Sequence, residues 1–191
     1  MRLFLVAVTV LISGCAGIGY VETSDPYKKI AQAYSLMDDD RLLLAEDVIG
    51  QSLNIFEQEG DKAGMAEAYH AYGNLYKNDQ YHNGRGTATF KKLGTYDGTY
   101  MKSINYFTKC DELYEAIGDG SGAAKCLLGA GNAYSARGDS KEACQYYERS
   151  LDRYLKAKQT EQNFVEPQAM SGYVNMGELI KAFIKYEPCS I

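Results

Sequence analysis

Two side chains in the middle of the sequence have types and a spacing that could support acid–base chemistry. Glu67 precedes His70 by one helical turn, so a helix would place both on the same face. A carboxylate beside an imidazole can accept and return a proton. Such pairs also occur on ordinary solvated helix faces, and no G-x-S-x-G or other nucleophile signature accompanies this one. We therefore expect no catalytic residue and no enzyme activity.

The composition argues against metal, cofactor and nucleic-acid binding. The 2 histidines do not stand at ligand spacing to each other or to a cysteine, and no C-x-x-C pair occurs. The chain carries 25 acidic against 20 basic side chains, and no segment concentrates Lys and Arg. We predict no metal site, no cofactor and no nucleic-acid partner.

The N-terminal segment has the features of an export signal. Arg2 is followed by an apolar run, Leu3 to Ile12, broken by one threonine. A membrane-spanning helix needs roughly 20 apolar residues, so this run is too short to be one. The run ends in Ile-Ser-Gly-Cys at 12–15, which resembles the lipobox of bacterial lipoproteins.

The lipobox resemblance implies that residues 1–14 are a signal peptide and that Cys15 is acylated. Several acyl chains on one residue would hold the protein stably on a membrane. The residue after Cys15 is Ala16 and not Asp, which the resemblance associates with the outer membrane, facing the periplasm. Residues 15–24 would then be a lipidated N-terminus and tether. The alternative is an ordinary secretory signal that ends around Ala16 or Gly17, with Cys15 incidental.

Residues 118–151 predict two amphipathic helices with small residues where they would touch. Gly131 lies on the first helix and Ala143 on the second, and Gly138 begins the turn between them. Small residues let antiparallel helices approach closely, and the rings of Tyr134 and Tyr147 would fill the space beside the crossing.

This pattern resembles a tetratricopeptide repeat (TPR). The residues that carry the resemblance are Gly131, Tyr134, Gly138, Ala143, Tyr147 and Leu151. The resemblance implies a helical scaffold that binds a protein or peptide partner in a concave groove lined by the first helix of each repeat.

Related stretches indicate two further repeats and a cap. The segment around Gly73 repeats that around Gly131, at an interval far longer than the roughly 34 residues of a simple TPR. The excess falls in a Gly-rich insertion at 78–99, which shows no helical period. We predict an all-α fold: a short TPR-like α-solenoid of three helical hairpins over residues 25–157, followed at 158–191 by a linker and a C-terminal capping helix near 167–186, with seven helices in total.

The TPR resemblance also implies which residues line the groove. They are Tyr34, Glu67, His70, Asn74, Lys77, Lys125, Leu128 and Asn132. The side-chain amides of Asn74 and Asn132 could pair with a peptide backbone, although Gly-Asn is also common at this place in the repeat. Lys125 could bind a carboxylate, and Leu128 could line the groove or pack on a neighbouring helix.

Two cysteines stand symmetrically about a predicted turn. Cys110 and Cys126 lie equally far from Gly118, so they could face each other across a helical hairpin and form a disulfide in an exported protein. Alternatively, each is a small buried residue.

The sequence therefore predicts a membrane-anchored TPR adaptor in the bacterial cell envelope, which binds a protein or peptide and assists assembly of an envelope complex. The alternative is a regulatory or immunity-type lipoprotein that acts through the 78–99 insertion.

Overall fold

The computed structural model describes residues 22–162, 164–167 and 172–189, and within them it contains nine helices and no strand. The helices are α1 (Pro26–Asp38), α2 (Leu42–Glu59), α3 (Lys62–Lys77), α4 (Asp79–His82), α5 (Arg85–Leu93), α6 (Met101–Ile117), α7 (Gly120–Arg137), α8 (Ser140–Thr160) and α9 (Met176–Tyr186). The predicted all-α fold is confirmed. The predicted signal peptide and Cys15 lie outside the described residues.

Three helical hairpins and a final helix build the solenoid. Helix α1 packs on α2, α3 on α6 and α7 on α8, while α9 packs on α8. Helices α1, α3 and α7 are the first helices of their hairpins, and they also contact one another in sequence. The prediction of three hairpins and a capping helix is confirmed. Within the described part of the chain, no helix is both long and apolar enough to cross a membrane.

Each of the last two hairpins closes on a glycine beneath an aromatic ring. A Cβ atom added to Gly73 would lie 2.6 Å from the Phe107 ring, and one added to Gly131 would lie 2.6 Å from the Tyr147 ring. Because these distances are too short for any side chain, the two helices of each hairpin can approach closely only with glycine here. The two repeats therefore share one packing design.

Glycine–aspartate pairs form the links between repeats. Gly60 and Gly118 end α2 and α6 in the left-handed region, with φ of 70° and 76°, which only glycine adopts without strain. The following aspartates cap the next helices: Asp61 accepts a hydrogen bond from Gly64 N at 2.9 Å and Asp119 from Gly122 N at 2.8 Å.

The Gly-rich insertion is folded, which corrects the prediction of an irregular loop. It contains α4 and α5, and Tyr81 and Phe90 are both 0% exposed. These rings join the core formed by the first two hairpins. Helices α4 and α5 each contribute only one large buried ring to this core, so the sequence of the insertion shows no helical period. These two helices raise the helix count above the predicted seven.

The capping helix begins later than predicted. Pro167 and residues 172–175 are not helical, and α9 starts at Met176. Asn175 has an extended backbone and its side chain accepts a hydrogen bond from Glu178 N at 2.9 Å, so it caps the helix. Helix α9 therefore begins later than the predicted start near Pro167, since Pro167 and residues 172–175 are not helical.

Candidate peptide-binding groove

A cavity of about 350 Å³ lies on the face formed by the first helices of the three hairpins. Tyr34 of α1, Glu67 and His70 of α3, and Lys125 of α7 line it. These four residues were predicted from the sequence to share a groove, and the fold brings them together. The extended chain after α8 closes one side of the cavity with Val165 and Pro167.

His70 is the centre of a polar network in this cavity. Its Nδ1 atom lies 2.8 Å from the Tyr34 hydroxyl, and the edge of the Phe107 ring packs on it with 5.5 Å between ring centroids. Burial, together with the positive charges of Lys125 and Lys77, lowers the pKa of His70 well below its ordinary value. The imidazole is therefore neutral at pH 7. The tautomer with the ring proton on Nε2 leaves Nδ1 free to accept the Tyr34 hydroxyl proton.

Glu67 holds the charged side of the cavity. One of its oxygens, Oε1, accepts hydrogen bonds from Lys125 Nζ at 2.6 Å and from the Tyr114 hydroxyl at 2.5 Å. Burial and the nearby Glu67 carboxylate raise the pKa of Tyr114 and also that of Tyr34. Lys125 is thus already paired with a carboxylate of its own chain, which weakens the expectation that it holds a carboxylate of a partner.

The two groove asparagines are bonded differently. Asn74 donates through Nδ2 to the His70 backbone carbonyl at 3.0 Å and lies 3.2 Å from His70 Nδ1. Asn132 instead accepts a hydrogen bond at Oδ1 from the Tyr147 hydroxyl at 2.9 Å. Phe107 occupies the position in the second hairpin that Tyr147 occupies in the third, and it has no hydroxyl. Asn132 is therefore bonded inside its repeat, whereas no described group donates to Asn74 Oδ1; neither asparagine is among the residues that line the cavity.

Helix α9 covers part of the third repeat's share of the predicted groove, around Leu128, while Lys125 on the same helix α7 lines the open cavity. Leu128 is only 8% exposed and packs in one cluster with Met176, Leu179 and Ile180 of α9. Beside it, the Ser135 hydroxyl donates to Glu187 Oε2 at 2.6 Å. The assignment of Leu128 to a partner-binding surface is therefore corrected: it packs against a neighbouring helix, which was the other reading of the sequence. Asn132 is linked to this region through Tyr147, whose hydroxyl donates to it and whose ring stacks on Phe183 of α9.

Lys77 ends α3 beyond the cavity and does not line it. Burial lowers the pKa of Lys77, while the neighbouring Asp79 acts in the opposite direction. Its charge acts on His70, as the lowered pKa of that residue records. Lys77 thus influences the site electrostatically and offers no surface inside the cavity.

Six lining residues were not predicted as groove residues from the sequence: Tyr114, Asp119, Ser121, Gly122, Val165 and Pro167. Tyr114 repeats the packing position of Phe56 in the preceding hairpin, so its ring was predictable but the reach of its hydroxyl to Glu67 was not. Val165 and Pro167 stand in a segment without periodicity. Nothing in their spacing signals that the chain passes the cavity there.

Two disulfides tie neighbouring parts of the solenoid together. The structure links Cys110 of α6 to Cys126 of α7, with 5.8 Å between Cα atoms, which is the pair considered from the sequence. A second disulfide that the sequence did not suggest links Cys144 of α8 to Cys189, with 5.5 Å between Cα atoms, and ties the end of α9 to the last hairpin. Across the described ranges, no three His, Cys, Asp or Glu side chains gather as a metal site.

Comparison with known proteins identifies part of the solenoid. Residues 95–156 match a family model described as tetratricopeptide repeat, which spans α6, α7 and most of α8. No curated protein matches the chain, and no solved structure does.

Proposed function

We propose that this chain, which contains tetratricopeptide repeats, is a membrane-anchored adaptor that captures a protein partner in the bacterial cell envelope and assists assembly of an envelope complex. Repeats of this family generally mediate protein–protein interaction. The anchor in this proposal is the acylated Cys15, and the capture site is the groove between α1, α3 and α7.

The observation that carries the proposal is the polar face of α3. Glu67, His70 and Asn74 follow one another at one-turn spacing along this face. Within the described residues, no group donates a hydrogen bond to Asn74 Oδ1 or to Glu67 Oε2. Polar atoms that remain open on a rigid helix are suited to an extended peptide, whose backbone offers a donor and an acceptor at every residue.

Photo-crosslinking in cells tests the groove. A photoreactive amino acid placed at Asn74 should crosslink to a partner, while the same amino acid at exposed Asn105 on α6 serves as the matched control. The double variant His70→Ala/Asn74→Ala should then recover at least tenfold less of this partner, with an unchanged helical circular-dichroism spectrum. Equal recovery from the double variant would reject the groove as the capture site.

Acylation is tested separately from capture. The wild-type chain should incorporate an alkyne-labelled fatty acid in cells and fractionate with the outer membrane. A Cys15→Ala variant should lose both the label and the membrane fraction, because no other residue would carry the anchor. A labelled Cys15→Ala chain would contradict this part of the proposal.

A second candidate function uses the surface of the insertion. Lys91, Lys92 and Leu93 are exposed on α5, while Tyr81 and Phe90 fix the insertion to the core. Such a rigid, basic and partly apolar surface fits a regulatory or immunity-type contact. The variant Lys91→Glu/Lys92→Glu leaves the buried anchors intact. It should abolish capture if the insertion is the contact surface, and should leave capture unchanged if the groove is.

A further inference from the structure

The charges that line the groove cavity are unbalanced. Two carboxylates, those of Glu67 and Asp119, face one ammonium group, that of Lys125. His70 adds no charge at neutral pH, because its pKa is lowered. Asp119 uses Oδ1 to cap α7 through Gly122 N and to accept the Ser121 hydroxyl. The cavity therefore has the electrostatic character of a site for a cation.

Lys125 already places a cation in one corner of this cavity. Its Nζ atom lies 2.6 Å from Glu67 Oε1 and 5.7 Å from the centroid of the Tyr114 ring. A carboxylate and the face of an aromatic ring are the two groups that recognise alkylammonium and guanidinium ions. The chain's own lysine thus shows that this corner accommodates an ammonium group.

The same corner retains capacity for a second cation. Both described hydrogen bonds to Glu67 are accepted by Oε1. In the described part of the chain, no group donates to Oε2. A guanidinium group carries five N–H donors in a planar fork and matches a carboxylate edge. A lysine ammonium could also satisfy Oε2, as a point charge.

The remaining walls suit the aliphatic stem of a long basic side chain. Tyr34 and Tyr114 present aromatic rings, and Val165 and Pro167 present aliphatic surface. Val165 is 73% exposed, so its side chain is available for contact. Lysine and arginine pack their methylene groups against apolar surface of this kind while their charged ends stay solvated or paired.

We propose that the cavity receives a lysine or arginine side chain of the partner peptide, with its charged end on Glu67 and its stem against the tyrosine and Val165–Pro167 walls. This inference rests on the proposed function, since it names the chemistry that the groove selects. In it, Lys125 competes with the partner's basic side chain for Glu67. The alternative to this proposal is that Lys125 binds a carboxylate of the partner peptide.

The sign of one substitution separates these two ligands. Lys125→Met removes the internal competitor and should tighten binding of a basic peptide by about fivefold, whereas it would abolish binding of a carboxylate. Glu67→Gln keeps the shape of the side chain and should lower the affinity for the basic peptide by at least tenfold. Lys141→Met and Glu148→Gln, at exposed positions on α8, are the matched controls and should change neither affinity.

The probe is a random dodecapeptide display library selected on the full chain immobilised from detergent solution. Enrichment of a Lys or Arg at one fixed position, together with the two opposite affinity changes, supports the inference. Enrichment of acidic residues or of a free carboxyl terminus, or weaker binding to Lys125→Met, overturns it while leaving the groove as a capture site.

Failure of the proposed function has a different result in the same experiment. A parallel selection uses the His70→Ala/Asn74→Ala variant. If it enriches the same peptides with the same affinity as the wild type, peptide capture does not use the groove, and both proposals fall. Melting temperatures of all variants are measured first, and Lys125→Met provides a test that does not depend on Glu67→Gln folding normally.

Discussion

The second and third repeats share one packing design and differ in what their first helices expose. In both, a glycine lies under an aromatic ring, yet the Tyr147 hydroxyl bonds Asn132, while Phe107 has no hydroxyl and, among the described residues, none donates to the Asn74 oxygen. Helix α9 then covers the third repeat around Leu128, whereas the α3 face of the second repeat borders an open cavity. The difference shows that one repeat fold can bury this face in one place and leave it beside an open cavity in another.

The attachment of α9 to the third repeat should depend strongly on the disulfide between Cys144 and Cys189. It closes a loop with a sequence separation of 45 residues, and the loss of such a crosslink lowers the free energy of unfolding by about 3 kcal/mol. We expect this loss for Cys144→Ser/Cys189→Ser in urea denaturation.

Hydrogen exchange shows whether that loss is local to the cover. In the Cys144→Ser/Cys189→Ser variant, exchange should accelerate in α7 around Leu128, where α9 packs. Exchange in α3 should stay as in the wild type and serves as the internal control. Unchanged exchange in α7 would show that apolar packing alone holds α9 in place.

The shared packing design predicts equal losses from matched glycine substitutions. An added Cβ at Gly73 or at Gly131 lies 2.6 Å from a ring in each case. Gly73→Ala and Gly131→Ala should therefore each lower the free energy of unfolding by about 2 kcal/mol, because overpacking exceeds the gain in helix propensity. Chemical denaturation measures both, and a difference above about 1 kcal/mol would break the equivalence of the two repeats.

The hairpins could be predicted from sequence because their signals are local. Gly131, Ala143 and Tyr147 mark one crossing, and Gly73 with Phe107 marks the next at related spacing. Tyr34, Glu67, His70 and Lys125 follow from helix faces once the hairpins are known. The hairpins need only the helical period and the order of the helices, whereas the groove positions also need the TPR resemblance.

The remaining features depend on tertiary contacts that no period encodes. The insertion folds because Tyr81 and Phe90 reach the core of other hairpins. Leu128 is covered because the chain returns past Val165 and Pro167 to seat α9. Whether an apolar residue such as Leu128 is buried is thus decided by a helix far along the chain. The local sequence around it would be the same for a groove position and for a core position.

Exchanging one hydroxyl between the repeats tests why their asparagines differ. Tyr147→Phe should leave Asn132 Oδ1 unpaired and lower the free energy of unfolding by about 1 kcal/mol. It should leave partner capture unchanged, because α9 covers that region. Phe107→Tyr should do the reverse: its hydroxyl would bond Asn74 and reduce capture several-fold, with little change in stability. If both variants affect capture equally, the contrast between the repeats is wrong.

The smallest expected effect is a pH dependence that belongs to the second repeat alone. Burial, Lys125 and Lys77 lower the pKa of His70 in the folded protein below its value of about 6.5 in an unfolded chain. Between these two pKa values His70 is protonated in the unfolded chain but not in the folded protein. The free energy of unfolding therefore decreases as the pH falls below about 6.5, and this contribution is fully present at neutral pH. His70→Gln should remove this component while leaving the contributions of the carboxylates in place.

Urea midpoints of both proteins from pH 7.5 to 5 measure the difference. A wild-type curve parallel to that of His70→Gln would show that His70 takes up its proton in the folded state as easily as in the unfolded chain, and would contradict a neutral imidazole at the centre of the groove.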